Sequence, residues 1–419
     1  MNLSKKTKLL IVAESIDVND SSGTKGRVAL IKNLAKAGFE IKVYHYTRAN
    51  ITIPEINCVE IKENRTSLLF FLSRLERYIR YFTKVHLHKP LEKKFGFSFT
   101  LKNDRNSIAS ALKNEKVFNP DWVLTLSRGG SFRPHHAMLL LPHWHKKWIA
   151  YIHDPYPMHW YPKPYTWHEP GFQHKELFMR AIAAKCAFAA FPSQLLMEWM
   201  GKKDKNYSEK GIIIPHQLDE DNLEATNNNT SELIEPHKFN LVHAGNLLQA
   251  RKPKGLIEGF KLFLQQNPDA EAVFLQIGPM GHYTGFFQEQ NMLDQRIKFI
   301  AENRPFKEVL KIQEEASVNI ILEADADFSP FLPGKFPHCI KANRPILLLG
   351  PKKSEARRLL GIDYPYWAEI TDSQKIANLI ASLYTNWKLG RLSLDRQDLE
   401  EYLSVTHLKK IIHSLEKAI

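Results

Sequence analysis

Two glycine-containing loops of this 419-residue sequence carry residue types that can bind phosphate. The first loop, Gly23-Thr24-Lys25-Gly26, follows an apolar segment and precedes a helical pattern. Glycines let a backbone approach a ligand closely, and the N-terminus of a helix favours anionic groups. The spacing differs from the GxGxxG dinucleotide fingerprint, which disfavours a nicotinamide cofactor. An ordinary strand-to-helix turn is the alternative interpretation.

The second loop repeats this arrangement later in the chain, where Gly245 and Asn246 precede several cations. Arg251 and Lys254 are candidates to neutralise a diphosphate, the arginine as a bidentate fork and the lysine as a point charge. A solvated cluster of charges is the alternative.

A histidine and a carboxylate follow the apolar segment 148–152. In α/β proteins the carboxyl ends of parallel strands are where functional groups are usually placed, so His153 and Asp154 are candidate site residues. Tyr156 lies in the same loop, whose aromatic residues and prolines provide stiff, flat surfaces suited to a sugar ring. A surface or hydrogen-bonded loop histidine is the alternative for His153.

The segment 328–346 is rich in proline and contains Gly334, Lys335 and His338. Prolines fix the backbone of a loop, and Gly334 allows close approach of a ligand. A helix that follows the glycine would offer free N–H groups to a phosphate. This segment is the most specific motif of the chain.

The elements that must position these residues follow an α/β pattern. Near-continuous apolar strands alternate with helical patterns, which is typical of parallel sheets covered on both faces. For example, strand 8–12 is followed by a helix predicted over 27–37 and a strand over 39–44. Two such series predict two Rossmann-like, doubly wound domains that face a central cleft.

The predicted N-terminal domain spans 1–218, and a linker with loop chemistry spans 219–237. The predicted C-terminal domain spans 238–419, with a last helix that can pack back on the first domain.

Composition restricts the class of protein. The hydrophobic fraction of 43% and the charged fraction of 25% are those of a soluble globular chain. The apolar run 9–13 is too short for a signal peptide, and three widely spaced cysteines fit a reducing cytosol. The net charge of +13 suits nucleic acid, anionic lipid or small anions, and a generally basic surface is the alternative.

Taken in order, these motifs resemble those of GT-B glycosyltransferases of the group 1, or family 4, type. The resemblance covers nearly the whole chain and implies a retaining, metal-independent transfer from a nucleotide sugar, which is a substrate, so no cofactor is expected. It implies a nucleotide sugar bound by the C-terminal domain and a glycan or lipid-linked acceptor on the side of the N-terminal domain. It also implies a place in bacterial cell-surface polysaccharide biosynthesis. The roles it implies are catalytic for His153, Arg251 and Lys254, donor-binding for Gly23, Gly26, Gly245, Asn246, Arg304, Phe306, Gly334, Lys335 and His338, and acceptor-side for Asp154 and Tyr156.

The sequence departs from the family pattern at several positions. Pro330 and His338 stand where the family often has two glutamates, and Asn343 replaces a glycine. The usual ribose-binding carboxylate is therefore missing at His338. An arginine that often follows the first glycine of the second domain is Asn246 here.

These departures keep a second hypothesis open, namely a catalytically inactive GT-B scaffold that binds nucleotide or glycan. A nucleic-acid-binding protein is a third hypothesis, but no recognition module is found and the basic residues are dispersed, so no nucleic-acid partner is expected.

The region 66–95 is basic and aromatic at helical spacing. One interpretation is an interfacial helix that meets the anionic inner face of the cytoplasmic membrane. The other is an amphipathic helix that packs on its own domain. Four histidines, at 135, 136, 143 and 145, lack a neighbouring carboxylate or cysteine at a metal-site spacing, so no metal site is expected.

Overall fold

A computed structural model describes residues 6–219 and 231–416, which form two compact units. Unit 1 contains the described residues up to Gln217 together with those from Val405 onward, and unit 2 runs from Leu218 to Ser404. Each unit has its own parallel sheet and its own buried cores.

Unit 1 is built around a seven-stranded sheet in the order β3-β2-β1-β4-β5-β6-β7. Its strands are β1 (Lys8–Ala13), β2 (Glu40–His45), β3 (Asn57–Glu60), β4 (Trp122–Leu126), β5 (Trp148–Tyr151), β6 (Phe188–Phe191) and β7 (Gly211–Ile213). Its helices are α1 (Ser22–Lys36), α2 (Leu68–Thr83), α3 (His88–Phe95), α4 (Phe99–Lys113), α5 (Arg133–Met138), α6 (Phe172–Lys185), α7 (Gln194–Gly201) and α8 (Asn206–Glu209), with short 3-10 helices at Pro142–Lys147 and Met158–Trp160.

The central strand β1 shows why this sheet is covered on both faces. Successive side chains of a strand point to opposite faces. Leu10 and Val12 pack into one buried cluster, while Leu9 and Ile11 pack into another on the other face. Both faces therefore lie against helices, as the near-continuous apolar strands predict.

Helix α1 begins earlier than the sequence pattern predicts. The predicted helix starts at Arg27, but the observed helix starts at Ser22. The Ser21 side chain caps it by accepting a hydrogen bond from the Thr24 backbone N–H at 3.2 Å. The predicted glycine loop is therefore the first turns of a helix, because this cap outweighs the low helix propensity of the two glycines.

Unit 2 is built around a six-stranded sheet in the order β10-β9-β8-β11-β13-β15. Its strands are β8 (Phe239–Ala244), β9 (Ala272–Ile277), β10 (Ile297–Ile300), β11 (Val318–Leu322), β13 (Ile346–Leu349) and β15 (Trp367–Ala368), and a separate pair is formed by β12 (Phe328–Ser329) and β14 (Lys353–Ser354). Its helices are α9 (Lys254–Gln266), α10 (Thr284–Leu293), α11 (Phe306–Glu315), α12 (Phe336–Lys341), α13 (Glu355–Leu360), α14 (Ser373–Lys388) and α15 (Gln397–Tyr402), with a 3-10 turn at Gly281–Tyr283.

The last described helix, α16 (Val405–Leu415), belongs to unit 1 although it follows unit 2 in the sequence. Leu408, Ile412 and Leu415 are buried in the cluster that also contains residues of β1. Unit 2 therefore ends at Ser404, and the apolar face of this last described helix is buried on unit 1.

Most of the predicted linker, residues 220–230, lies outside the described residues. After it, Ile234 is buried in a cluster with residues of β8, and the Ser231 backbone N–H donates to Glu315 at 2.8 Å. The residues after 230 therefore pack on unit 2. Among the described residues, no helix is both long and apolar enough to cross a membrane.

Candidate active site

In unit 1, His153 and Asp154 lie just beyond the carboxyl end of β5. The His153 ring lies 4.3 Å from the Tyr151 ring, and its buried Nε2 atom has no hydrogen-bond partner. Burial lowers the pKa of His153 well below its usual value, and the nearby Arg27 and His216 act in the same direction. The imidazole is therefore neutral at pH 7 and can donate or accept a hydrogen bond.

The Asp154 carboxyl is held against the loop that follows β4. A side chain at Gly129 would place its Cβ 2.8 Å from Asp154 Oδ2, so only glycine leaves room for this carboxyl. Burial raises the pKa of Asp154 to about 6. A carboxyl with this pKa can hold or release a proton near neutral pH, which makes it a candidate acceptor-side group.

Tyr156, predicted on the acceptor side, lies in the core instead. Its side chain is buried, and its ring lies 5.3 Å from Phe132 and 6.4 Å from Phe178. An aromatic ring at the end of a strand can turn inward as readily as outward, and the apolar surroundings of this one favour the inward position.

Arg27 is a buried cation that the sequence motifs do not single out. Its Nη1 donates to the Ser127 carbonyl at 3.1 Å and its Nη2 to Thr24 Oγ1 at 2.6 Å, while the buried Nε has no partner. Burial lowers the pKa of Arg27 to about 10. The signal that could have revealed it is a charged residue within the apolar helical pattern of α1.

The two predicted glycines of this region, Gly23 and Gly26, come just before Arg27 in α1. A Cβ at Gly23 would lie 3.6 Å from Arg27 Nη1, and a Cβ at Gly26 would meet no atom within 4 Å. Neither glycine has the positive φ that would require its residue type. Steric fit within the described structure therefore does not explain why glycine stands at Gly26.

An ion-pair network fixes the loop after β4. Arg133 Nε donates to Asp104 Oδ2 at 2.6 Å, and its Nη1 pairs with the buried Glu14. Glu14 also accepts a hydrogen bond from the Arg128 backbone N–H at 3.0 Å. The network holds the 127–131 loop in one conformation beside Asp154.

In unit 2, the loop after β8 is shaped by glycine. Gly245 has φ 152°, and a Cβ at Gly278 would come within 3.1 Å of the Gly245 backbone. Arg251 closes the loop, because its Nη1 donates to the Asn246 carbonyl at 3.2 Å. The loop therefore presents its backbone and one guanidinium at the carboxyl edge of the sheet.

Lys335 places a second cation at this loop. Its Nζ donates to the Ile320 carbonyl at 3.1 Å and lies 3.4 Å from where a Cβ at Gly245 would be. The pKa of Lys335 is lowered to about 7, mainly by burial; Cys339 opposes this shift and Arg251 adds to it. The pKa of the buried His243, whose Nδ1 lies 2.7 Å from Gln276 Oε1, is also lowered by burial and by Lys335.

Glu323, directly after β11, is a buried carboxyl that the sequence motifs do not single out. Ser329 Oγ donates to its Oε1 at 2.9 Å, and Gly350 makes room for its Oε2. Burial raises the pKa of Glu323 to about 7, although Ser329 and Arg251 oppose the rise. Its position at the end of an apolar strand is the signal that could have revealed it.

Solved structures resemble this chain along nearly its whole length. A glycosyltransferase from Rickettsia africae is 12% identical, with a TM-score of 0.63, over 99% of this chain and 98% of that chain. Anabaena HepE, solved in complex with UDP and glucose, is 11% identical, with a TM-score of 0.63, over 99% and 100%. Sucrose-phosphate synthase from Thermosynechococcus elongatus is 11% identical, with a TM-score of 0.61, over 99% and 100%.

The chain has the two-domain GT-B fold. This confirms the predicted α/β class with two Rossmann-like units and the predicted resemblance to GT-B glycosyltransferases. No protein-family model matches the sequence, and no curated protein does either. Family 4 therefore stays a prediction.

Within the second unit of this GT-B fold, Lys254 stands apart from the buried cations. It is the first residue of α9, its side chain is exposed, and its Nζ lies 3.7 Å from Glu258 Oε1. The next residue, Gly255, packs so tightly that a Cβ would lie 2.2 Å from the Ile370 carbonyl oxygen. The structure therefore brings Arg251 to Lys335, while Lys254 points to solvent.

The predicted base-bordering residues come together in part. The rings of Phe306 and His338 meet edge to face with centroids 5.0 Å apart. Arg304, just before α11, is partly exposed, with Nη1 3.8 Å from Glu308 Oε1. Gly334 is exposed at the start of α12, where a Cβ would meet no atom within 4 Å.

The histidines considered for zinc are separated by their contacts. Ser127 Oγ lies 2.6 Å from His135 Nδ1, and His136 stacks on Phe178 at 3.6 Å. Within residues 6–219 and 231–416, no group of three or more His, Cys, Asp and Glu side chains is arranged to hold a metal ion.

Proposed function

We propose that this chain is a glycosyltransferase that transfers a sugar from a nucleotide-sugar donor to a glycan or lipid-linked acceptor. The observation that carries the proposal is the pairing of Arg251 with Lys335 around Gly245. Neither cation forms an ion pair with a carboxylate of the described residues. Buried or half-buried cations without a counter-charge are costly, and a diphosphate would supply that charge.

The same pair suits the leaving group of the proposed reaction. When the bond between the sugar and the diphosphate breaks, negative charge develops on the phosphate oxygen. Fixed positive charges at that place stabilise the transition state more than the ground state. We therefore assign this task to Arg251 and Lys335 and propose that the reaction needs no metal ion and no cofactor. We also propose that the reaction retains the anomeric configuration, a choice that the family resemblance supports.

The other donor contacts are assigned by position. Asn246 and the Gly245 backbone lie beside the two cations. Phe306 and His338 offer a flat ring and a ring nitrogen for the base and ribose, in place of the family's glutamate. The UDP and glucose bound in HepE make a UDP-hexose the first donor to test.

In unit 1, His153 and Asp154 are proposed to face the transferred sugar and the acceptor. A neutral imidazole with an unpartnered Nε2 can bind a sugar hydroxyl without repelling the cations of a phosphate site. Asp154 can accept a hydrogen bond from the acceptor hydroxyl. The resemblance further supports a cytoplasmic enzyme of bacterial cell-surface polysaccharide biosynthesis.

The test is donor binding and hydrolysis across a panel of nucleotide sugars, with EDTA present. We expect one donor to bind, and Lys335→Met and Arg251→Gln to weaken its binding at least roughly tenfold, as loss of a charge-assisted contact does. Arg391→Gln, an exposed cation elsewhere in unit 2, is the matched control and should bind normally.

Lys254→Gln tests the role that the resemblance implies for the exposed lysine. Loss of turnover in this variant would support a catalytic role that becomes effective only with donor bound. Binding of a donor without turnover in any acceptor extract would favour the inactive scaffold instead, and no binding at all would overturn the proposal.

A further inference from the structure

Helix α2 turns large apolar side chains away from unit 1. Within α2, all of which is described, Ser73 is the only buried residue. The exposed side chains recur at steps of three, four, three and four residues, which places them on one face of the helix. They are Leu68, 72% exposed, Phe71, 59%, Leu75, 55%, Tyr78, 64%, and Phe82, 62%.

This stripe, which we call the outer stripe, differs from scattered surface hydrophobics. Single exposed leucines are normal, but a contiguous row of this kind marks an interaction surface. The inward side of α2 lies on α4, where Arg77 Nη2 donates to Thr100 Oγ1 at 3.2 Å and the N-cap residue Ser67 contacts Asn103. An amphipathic helix packed for stability alone would turn the outer stripe toward that neighbour.

Cations lie on the part of the α2 surface next to the outer stripe. The side chains of Arg74, Arg77 and Arg80 line one surface depression together with Tyr78 of the stripe and with Tyr81, which is 71% exposed, and Lys84 follows as the C-cap residue. The helix has a single acidic residue, Glu76, whose carboxylate is largely buried and lies 3.9 Å from both Arg80 and His88. The accessible surface beside the stripe is therefore positively charged.

The following helix extends the same charge. Lys89, Lys93 and Lys94 of α3 are exposed, and Phe95 at its end is 40% exposed. Lys94 Nζ lies 5.4 Å from the Phe95 ring centroid, so here too a cation lies beside an aromatic ring.

The charge decides between two occupants of the outer stripe. A second copy of this chain would bring two rows of arginine and lysine together, and like charges in contact are unfavourable. An anionic bilayer accepts both features, because leucine and aromatic side chains enter the boundary between headgroups and acyl chains while guanidinium groups bind lipid phosphates.

We propose that the outer stripe of α2, with its flanking cations, docks this chain on the surface of an anionic phospholipid bilayer. If the acceptor is lipid-linked, docking would hold unit 1 at the membrane surface from which the acceptor projects. This consequence rests on the proposed function. The binding itself requires neither donor nor acceptor.

The experiment is co-sedimentation of the full chain with two kinds of vesicle. Neutral vesicles consist of phosphatidylcholine alone, and anionic vesicles also contain about 30 mole percent phosphatidylglycerol. We expect binding to the anionic vesicles that weakens as salt rises, and at least about tenfold weaker binding to the neutral ones, since each basic residue near such a surface contributes measurably. The outer-stripe variant, which combines Phe71→Ser, Leu75→Ser and Phe82→Ser, should weaken binding at least about tenfold, because it removes apolar area that would enter the bilayer. Arg74→Gln/Arg80→Gln/Lys84→Gln should reduce it and flatten its salt dependence.

The matched control is Met292→Ser/Leu293→Ser/Ile362→Ser, which removes three even more exposed apolar side chains of unit 2 and should bind like the wild type. Thermal unfolding checks that each variant is folded. Failure of the wild type to bind anionic vesicles, or binding that the outer-stripe variant retains, would overturn the proposal. A dimer that the outer-stripe variant dissociates would assign the stripe to a second copy.

Donor binding in solution is measured without vesicles, so failure of the transferase proposal and failure of the docking proposal can be told apart.

Discussion

At the scale of single residues, burial shifts the pKa of several ionisable groups away from their ordinary values. Lys335 and Glu323 both have a pKa of about 7, one lowered and the other raised by burial. Shifts of this size near the carboxyl edge of a parallel sheet are typical of sites that handle charge. Both residues lie near Arg251, so an arriving anion would act on all three.

The pKa of Lys335 predicts a pH dependence of donor binding. A bound diphosphate raises this pKa, so above pH 7 the amine must take up a proton when the donor binds. Affinity for the nucleoside diphosphate should therefore fall as pH rises above 7, by at most about tenfold per pH unit for one proton. Calorimetry in buffers of different ionisation enthalpy should show this proton uptake. The Lys335→Met variant should show no proton uptake on binding. Proton uptake that persists in this variant would assign the proton to Glu323 instead.

Glu323 predicts a pH dependence of stability. Its folded pKa of about 7 lies above its reference value of 4.5, so the folded state holds a proton that the unfolded state releases. The resulting stabilisation is present below pH 4.5 and is lost as pH rises through 7. It amounts to roughly 3 kcal/mol. The Glu323→Gln side chain stays neutral at every pH, so this variant does not lose that stabilisation. Between pH 5 and 8 the free energy of unfolding of the wild type should therefore fall relative to that of the variant. Parallel pH profiles in urea unfolding would contradict this.

At the scale of elements, α1 and α9 carry glycines for different reasons. Gly255 is required by packing, since a Cβ would lie 2.2 Å from a carbonyl oxygen, whereas Gly26 has open space around it. Within the described structure, packing therefore does not require glycine at position 26. The resemblance to GT-B glycosyltransferases suggests another reason for the glycine, namely a ligand that approaches the helix.

Alanine substitution should separate the two glycines. Gly26→Ala should stabilise unit 1 by about 0.5–1 kcal/mol, because alanine favours the helix. Gly255→Ala should destabilise unit 2 by about 1–3 kcal/mol through overpacking. Chemical denaturation measures both. If Gly26 faces the donor, Gly26→Ala loses donor turnover while gaining stability; unchanged turnover would remove Gly26 from the site.

At the scale of the whole molecule, the chain returns to unit 1 after completing unit 2. Helix α16 fills the cluster beneath β1 with Leu408, Ile412 and Leu415. Unit 1 therefore cannot complete this core from the residues before 218 alone. This dependence of one core on the far end of the chain is a property of the connectivity rather than of any local pattern.

Ile412→Ala should destabilise unit 1 by about 2–5 kcal/mol, the range for truncating a buried isoleucine. Hydrogen exchange should show faster exchange in β1 and α1, while β8 and β9 keep their protection. The exposed Ile362→Ala is the control and should change neither set. Equal loss of protection in both units would show that they unfold as one.

The sequence by itself determined the class of fold and the order of the motifs. Apolar strands and helical periodicities are local signals, so two α/β series and the loops after their strands could be predicted. Gly245, Arg251 and His153 were predicted as site residues because functional groups follow strand ends in such folds.

Only the tertiary structure decided which of these residues meet. Lys335 reaches Gly245 because β11 lies beside β8, a pairing that no local pattern encodes. Tyr156 turned into the core and Lys254 toward solvent because packing, not residue type, sets the direction of a side chain. For α2 the same apolar period fits a helix that faces inward or outward, and only its contacts show that the outer stripe faces away from unit 1.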